Sequence, residues 1–136
     1  MILLDTSVVS AVLRRRRRGP GEEATARKVA SLLASDEEVA LPGIVFQEVL
    51  SGVAERAQQE KVLASLRASF PITLATEGDH LMAADLATQA SRRGIALSTP
   101  DALIAAQAIN RRAVLFTLDQ DFDALTALAR LKLLAQ

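Results

Sequence analysis

The sequence predicts an α/β fold in which helices cover both faces of a central parallel sheet. Short, continuous apolar runs, which are typical of buried strands, alternate along the 136 residues with longer segments whose apolar residues recur at helical spacing. Strands that alternate with helices form parallel sheets, because each helix carries the chain back to the start of the next strand. The length suits one core and no repeat or linker divides it, so we expect a single domain over residues 1–136.

The first half of the chain predicts two strands and four helices. Its opening apolar run stops abruptly at Asp5, and the hydroxyl of Ser7 is expected to cap the helix that follows. The tripeptide at 19–21, Gly-Pro-Gly, is a strong helix breaker. In chain order we expect a strand over 1–4, helices over 8–13 and 22–35, a strand over 38–42, and helices over 44–53 and 55–69.

The second half carries clear signals for the start and end of helices. Thr76 and Asp79 have the spacing of a capping box. The helix that they start is expected to end at residues 92–94, Arg-Arg-Gly, where basic residues and glycine are favoured. Residues 98–101, Ser-Thr-Pro-Asp, predict another helix start, since a capping hydroxyl precedes proline and an acid. The predicted strands are 71–74, 113–117 and, at an edge of the sheet, 131–134.

Composition narrows the chemistry that the chain can perform. There is no cysteine, which excludes disulfides, thiolate zinc sites and cysteine nucleophiles. The single histidine, His80, argues against a histidine-rich metal site or a Ser-His-Asp triad. Any bound metal would therefore have oxygen ligands, which favours Mg²⁺ or Mn²⁺.

Charge and hydropathy give weaker information about partners. The formal net charge is zero, from 16 basic and 16 acidic residues, but five of the basic residues form one block: Arg14, Arg15, Arg16, Arg17 and Arg18. Aromatic residues are few, so platforms for base stacking are nearly absent. No apolar run approaches the roughly 18 residues of a membrane span, and Asp5 interrupts the opening run, so no signal peptide is predicted. We expect a cytoplasmic protein without membrane contact.

Several acids are expected to meet at one edge of the sheet. Asp5 and the cluster at 119–123 each follow a predicted strand, and ligands bind at the carboxyl ends of parallel strands. Asp101 and Glu48 each lie near the start of a predicted helix. Carboxylates gathered at one place repel one another unless a cation holds them. Metal-bound clusters of this kind promote the attack of water on phosphodiesters.

Each acid also has a purely structural interpretation. Aspartate is common at helix N-caps, which would account for Asp5, and a helix dipole alone favours an acid at position 101. Glu48 lies at the edge of its helix's apolar stripe and, taken alone, is typical of a solvated residue. An acidic turn such as 119–123 often lies only at the surface. The hypothesis of a site depends on these residues coming together.

Four short segments, in this order and over nearly the full length, carry a family resemblance: residues 2–7 (ILLDTS), 45–52 (VFQEVLSG), 101–108 (DALIAAQA) and 117–122 (TLDQDF). In these segments the chain resembles PIN-domain ribonucleases, in particular the VapC toxins of bacterial toxin–antitoxin pairs. The resemblance implies a three-layer α/β/α PIN-like fold with a central parallel sheet. It also implies a Mg²⁺ or Mn²⁺ site and metal-dependent endonucleolytic cleavage of RNA.

Carried over by position, the resemblance implies an acidic tetrad of Asp5, Glu48, Asp101 and Asp119. Asp5 and Asp101 would be the main metal ligands. Glu48 would act directly or through water, and Asp119 would help to hold a second metal or a metal-bound water. The reaction implied is hydrolysis by a metal-activated water, and its products would carry a 5′-phosphate and a 3′-hydroxyl.

Other residues and partners follow from the same resemblance. Thr6 matches the hydroxyl that often follows the first aspartate, Thr117 would position the last acid, and Asp121 is a reserve ligand. The resemblance also implies a VapB-type antitoxin and a homodimer, for which the apolar helices over 45–53 and 62–66 would supply an interface.

The arginine block over 14–18 would contact RNA phosphates, dock an acidic partner segment, or simply form a solvated helix end.

Two other functions stay open at this stage. The chain would be a catalytically silent PIN-like module that binds RNA or protein, although a binding module has no need to concentrate repelling carboxylates. Alternatively it would be a different metal-dependent phosphohydrolase, such as a haloacid-dehalogenase-like phosphatase with Asp5 as nucleophile. That pattern requires a second acid at position 7, which is serine, and a dedicated lysine for which there is no good candidate.

Overall fold

Five strands form one sheet in which every pairing is parallel, in the order β3-β2-β1-β4-β5. A computed structural model describes residues 1–14 and 19–135. The strands are β1 (Ile2–Leu4), β2 (Val39–Pro42), β3 (Ile72–Thr73), β4 (Val114–Phe116) and β5 (Lys132–Leu133). All five lie within or overlap the predicted runs, and the predicted edge position of β5 is confirmed.

Seven helices among the described residues connect these strands: α1 (Thr6–Leu13), α2 (Pro20–Ala34), α3 (Gly43–Ser51), α4 (Arg56–Ser69), α5 (Glu77–Arg92), α6 (Thr99–Asn110) and α7 (Asp123–Leu128). The order of the strands and right-handed crossovers place α1 to α4 on one face of the sheet and α5 to α7 on the other. The expected three-layer α/β/α arrangement is therefore confirmed. Within the described ranges, no helix has the length and apolar character needed to cross a membrane.

Helix boundaries follow the capping signals in the sequence. Thr76 and Asp79 form the predicted capping box at the start of α5, each side chain bonding the other residue's backbone N–H. Ser98 caps α6 by accepting a hydrogen bond from the N–H of Asp101 at 3.2 Å. The turn after α5 contains Gly94 at φ 68°, a left-handed conformation that costs glycine little. Local hydrogen bonding thus marks these boundaries.

Two predictions about local structure were wrong. Ser7 does not cap α1, because that helix begins at Thr6, two residues earlier than expected, and Asp5 occupies the N-cap position. The acidic turn is also not simply a turn: a single 3₁₀ turn over Gln120–Phe122 leads directly into α7. Helix α7 has only six residues, which is too short to produce a periodic apolar pattern.

The core surrounds the three central strands. Leu3, Leu41 and Leu115, one from each of these strands, are fully buried. In α3 and α4, which were expected to supply a dimer interface, Val45, Val49, Val62 and Leu66 are buried in this core. Other large apolar residues of the two helices, Phe46, Leu50 and Leu63, are only partly buried, and an interface formed by them stays a prediction.

A buried ion pair fixes the corner between β3 and α5 against the end of α6. Asp79 is buried, and its carboxylate contacts Nη1 of Arg111 at 3.0 Å and accepts a hydrogen bond from Asn110 at 2.9 Å. Arg111 also donates to the carbonyl of Leu74 at 3.1 Å. Burial of Asp79 raises its pKa, but its hydrogen bonds with Thr76, Asn110 and Arg111 and the charge of Arg111 outweigh this, so the pKa is lowered. These bonds give Arg111 a structural role.

Candidate metal centre

The candidate site residues lie where the order of the strands reverses. From β1 the chain moves outward to β2 and β3, then returns to the other side of β1 as β4. Ligands in open parallel sheets bind at such a reversal, beyond the carboxyl ends of the strands. Asp5 follows β1 and Thr117 follows β4, and the N–H of Asp5 donates to the carbonyl of Phe116 at 2.9 Å. The sheet itself therefore brings these two chain segments together.

Asp5 is held by two hydroxyl groups. It is 4% exposed, and its Oδ2 accepts hydrogen bonds from Ser7 at 2.7 Å and from Thr117 at 2.8 Å. Each hydroxyl also accepts a backbone N–H, Ser7 from Leu118 at 3.0 Å and Thr117 from Asp119 at 3.0 Å. Thr117 was expected to position the last acid, and the structure places it between that acid's backbone and the first acid's carboxylate. Ser7 was not among the expected site residues.

Glu48 is brought to the site by contact between α1 and α3. Its Oε1 accepts a hydrogen bond from the hydroxyl of Thr6 at 2.8 Å, although the two residues lie 42 positions apart in the sequence. Glu48 is partly buried. The interpretation of Glu48 as a merely solvated residue is therefore wrong, and Thr6 connects the segment after the first aspartate to the second acid.

Three further acids form a tight cluster of their own. Asp101, Asp119 and Asp121 each offer a carboxylate oxygen, and these atoms all lie within 4.8 Å of one another. Asp101 lies in the first turn of α6, three residues after the N-cap residue Ser98. Asp119 caps the 3₁₀ turn by accepting a hydrogen bond from the N–H of Asp121 at 2.9 Å. Asp121, expected only as a reserve ligand, is thus a full member of the cluster.

Electrostatics connects the cluster to the other two acids. The pKa of Asp101 is raised from 3.8 to about 6. Burial is the largest cause, since it disfavours the charged carboxylate, and a hydrogen bond with Ser98 acts in the opposite direction. The negative charges of Asp5, Asp119 and Glu48 then add to the rise. The other three members of the expected tetrad therefore all act on Asp101 in this fold.

The residues present fit a hard divalent cation. The donors are carboxylate oxygens, the ligands that Mg²⁺ and Mn²⁺ prefer. Burial first, and then the charges of the neighbouring acids, disfavour the charged form of Asp101 and raise its pKa, and a bound cation would offset both effects. The carboxylate oxygens of Asp101, Asp119 and Asp121 are close enough to share one ion. Asp5 and Glu48 are near enough for their negative charges to raise the pKa of Asp101.

Of the five arginines expected to bind RNA, the structure describes Arg14 alone. Arg14 is exposed and forms an ion pair with Glu22 at 3.0 Å. Arg15, Arg16, Arg17 and Arg18 lie outside the described residues. The pairing of Arg14 with an acid of α2 gives it a contact within the protein, and Arg14 also lines the same surface pocket as Glu48.

Carboxylates gathered at the strand reversal of a three-layer α/β/α sheet define a protein with a candidate oxygen-ligand cation centre. The chain belongs to the PIN domain family, which it matches over residues 2–128. This membership agrees with the resemblance carried by the four sequence segments. No curated protein sequence is similar enough to this chain to count as a match.

Solved structures share the whole fold at low sequence identity. A chain of VapBC2 from Rickettsia felis, in a complex with a DNA fragment from its promoter, superposes with a TM-score of 0.80 at 20% identity, covering 98% of each chain. VapBC-5 from Mycobacterium tuberculosis, a member of the VapBC family of toxin–antitoxin systems, gives 0.68 at 25% identity, covering 98% of this chain and 97% of that one. A sarcin–ricin-loop-cleaving VapC toxin from M. tuberculosis gives 0.69 at 19% identity, covering 91% and 94%.

Proposed function

We propose that this chain is a Mg²⁺- or Mn²⁺-dependent endoribonuclease and the toxin component of a toxin–antitoxin pair. The observation that carries the proposal is the convergence of five carboxylates at the strand reversal of a PIN fold, where the pKa of Asp101 is raised by burial and by three of the others. Such a concentration of negative charge costs stability. A cation held by these carboxylates would offset that cost and could bind RNA phosphates.

Asp5, Asp101 and Asp119 hold the cation in this proposal, with Asp121 as a further ligand. When bound, a divalent cation supplies positive charge to the phosphate and acidifies the attacking water. Without that charge the carboxylates would repel an RNA strand, because both are anionic. Glu48, oriented by the hydroxyl of Thr6, accepts the proton of the attacking water. The oxygen of that water bonds to phosphorus, and the 3′-oxygen leaves and takes up a proton.

Similar proteins support the RNA substrate and the biological setting. One structural relative cleaves the sarcin–ricin loop, and another belongs to a toxin–antitoxin family at 25% identity. By the same reasoning the partners of this chain are an RNA, a VapB-type antitoxin and a second copy of the chain, in the cytoplasm. Residues 1–136 would act as one domain in all of these interactions.

The proposal is tested by incubating structured total RNA with purified, antitoxin-free protein. We expect discrete fragments with Mg²⁺ or Mn²⁺ and none with a chelator. Asp5→Asn and Asp101→Asn should leave the RNA intact, because each removes a carboxylate that holds the cation. Asp85→Asn is the matched control, since it removes an exposed acid of α5 whose carboxylate accepts a hydrogen bond from Gln89 of the same helix, and it should cut like the parent protein.

The outcomes separate the alternatives. Cleavage by Asp5→Asn at the parent rate would mean that the activity is a contaminant or lies elsewhere, and the site assignment would fail. Absence of cleavage, together with a Mg²⁺-dependent rise in melting temperature that Asp5→Asn lacks, would retain the cation centre and reject the nuclease. Mapping the ends of the fragments would identify the target and check for 5′-phosphates.

A further inference from the structure

We propose that Ser7 is a positioning residue of the cation centre, an inference that rests on the proposed function. Its hydroxyl lies between the first acid and the segment that carries the last one. It donates to Oδ2 of Asp5 at 2.7 Å and accepts the N–H of Leu118 at 3.0 Å. The two bonds use one hydrogen and one lone pair, so a single serine connects the end of β1 to the segment after β4.

The same arrangement is repeated by Thr117 on the other side of Asp5. Its hydroxyl donates to the same oxygen at 2.8 Å and accepts the N–H of Asp119 at 3.0 Å. The two hydroxyls lie 3.5 Å apart. Two successive backbone N–H groups thus polarise two hydroxyls that converge on one carboxylate oxygen. Hydrogen bonds in such chains strengthen one another, so each hydroxyl is a better donor than it would be alone.

The orientation of Asp5 is unusual for its place in the chain. An aspartate at an N-cap ordinarily accepts a hydrogen bond from the backbone N–H groups of the first turn. Asp5 stands at the N-cap of α1 but makes no such bond with its side chain. Its carboxylate is turned toward the two hydroxyls instead. Ser7 therefore competes with ordinary capping and fixes the carboxylate in the orientation that the centre uses.

Both hydroxyl bonds end on Oδ2, so neither requires the lone pairs of Oδ1. A carboxylate fixed by one oxygen can present the other to a cation without losing rotational freedom at the moment of binding. Ser7 also holds the backbone at Leu118, the residue before Asp119. Removal of the Ser7 hydroxyl should loosen the first and the last acid together, although Ser7 itself is not a ligand.

The test compares Ser7→Ala, which removes the hydroxyl, with Ser7→Thr, which keeps it. Ser10→Ala is the matched control, because it removes a hydroxyl from the next turn of the same helix. Mn²⁺ alone is the probe, titrated into the purified 136-residue protein by calorimetry and by electron paramagnetic resonance of the free ion. Loss of a residue that orients a metal ligand typically weakens metal binding about 10- to 100-fold. We expect a loss in that range for Ser7→Ala, recovery of most of it in Ser7→Thr and no change in Ser10→Ala.

Kinetics on RNA provide a second readout. Ser7→Ala should lower kcat at saturating Mn²⁺ and leave KM for RNA near the parent value, because the hydroxyl faces the acids. Melting temperatures without metal establish that each variant is folded. If Ser7→Ala does not fold, Ser7→Cys replaces it in the comparison, since a thiol is a weak donor of nearly the same shape.

Mn²⁺ binding by Ser7→Ala at the parent affinity would overturn the inference and leave the proposed function intact. Equal weakening in Ser7→Ala and Ser7→Thr would also overturn it, because the hydroxyl would then not be the cause. A parent protein that binds no Mn²⁺ would overturn both the inference and the proposed function. A parent that binds Mn²⁺, loses affinity in Ser7→Ala and cuts no RNA would support the inference and reject the nuclease.

Discussion

The substitution Asp101→Asn is expected to stabilise the metal-free protein and to abolish the proposed RNA cleavage. Folding disfavours the charge at this position: burial and the neighbouring charges of Asp5, Asp119 and Glu48 raise the pKa of Asp101 from 3.8 to about 6. Asparagine retains the shape of the side chain and removes the charge. The same change deprives the cation of a ligand, so stability and function should move in opposite directions.

The magnitude follows from the pKa. A rise from 3.8 to about 6 corresponds to roughly 3 kcal/mol at about 1.36 kcal/mol per pKa unit. Because Asp101 is only partly buried, solvent screening reduces this to about 1–2 kcal/mol. Loss of the attraction between an acid and the N-terminus of α6 subtracts about 0.5 kcal/mol. We therefore expect the free energy of unfolding to increase by about 1 kcal/mol near neutral pH without divalent cations.

The direction of the pH dependence is also fixed. Because the folded-state pKa of Asp101 is raised, the protonated carboxyl contributes stability that is fully present below pH 3.8 and is lost as the pH rises through about 6. The advantage of Asp101→Asn over the parent protein should therefore be largest above about pH 6 and should shrink toward zero near pH 4. An aspartate whose charge the fold favours would give the opposite trend.

Urea unfolding followed by circular dichroism measures this difference, since the chain has neither tryptophan nor tyrosine for fluorescence. Glu77→Gln is the control for the helix dipole, because Glu77 is an exposed acid in the first turn of α5, and it should be neutral or slightly destabilising. Mg²⁺ at ten times its dissociation constant should add about 1.4 kcal/mol to the parent alone. A variant that is less stable than the parent near neutral pH, with chelator present, would refute the electrostatic argument.

Three further predictions concern the rest of the fold. Asp79→Ala should lower the free energy of unfolding by about 3 kcal/mol, because it removes the carboxylate that pairs with Arg111. Since the pKa of Asp79 is lowered in the fold, this loss should shrink as the pH falls below about 4, and an unchanged melting temperature at neutral pH would contradict the prediction. Leu81→Glu should convert the proposed homodimer to monomer in light scattering, because Leu74 and Leu81 are the most exposed large apolar side chains among the described residues; a variant that stays dimeric would point to another surface. Gly94→Ala should cost about 1 kcal/mol through its φ of 68°, and a stabilised variant in thermal unfolding would be inconsistent with that backbone strain.

Most of the secondary structure could be predicted because its causes are local. The Thr76–Asp79 capping box, the Ser98 cap and the apolar runs act within a few residues, so their effects are visible in the sequence. Helix α7 escaped prediction because six residues carry no periodic signal. The division of labour within α3 and α4 escaped it for a different reason: an apolar stripe can serve a core or an interface, and sequence pattern alone does not show which of its residues the core requires.

By itself, the sequence determined that acids stand at the ends of strands and at the starts of helices. With no cysteine and one histidine, it also determined that any metal ligands would be oxygen atoms. Only the tertiary structure decided which acids are neighbours. The strand order places β4 beside β1, so Thr117 reaches Asp5 across 112 positions of the chain, and the packing of α1 on α3 gives Glu48 a partner in Thr6. The role of Ser7 belongs to this second class. Its hydroxyl looked like a helix cap in the sequence, because the competing partners at 117–119 become neighbours only when the parallel sheet closes.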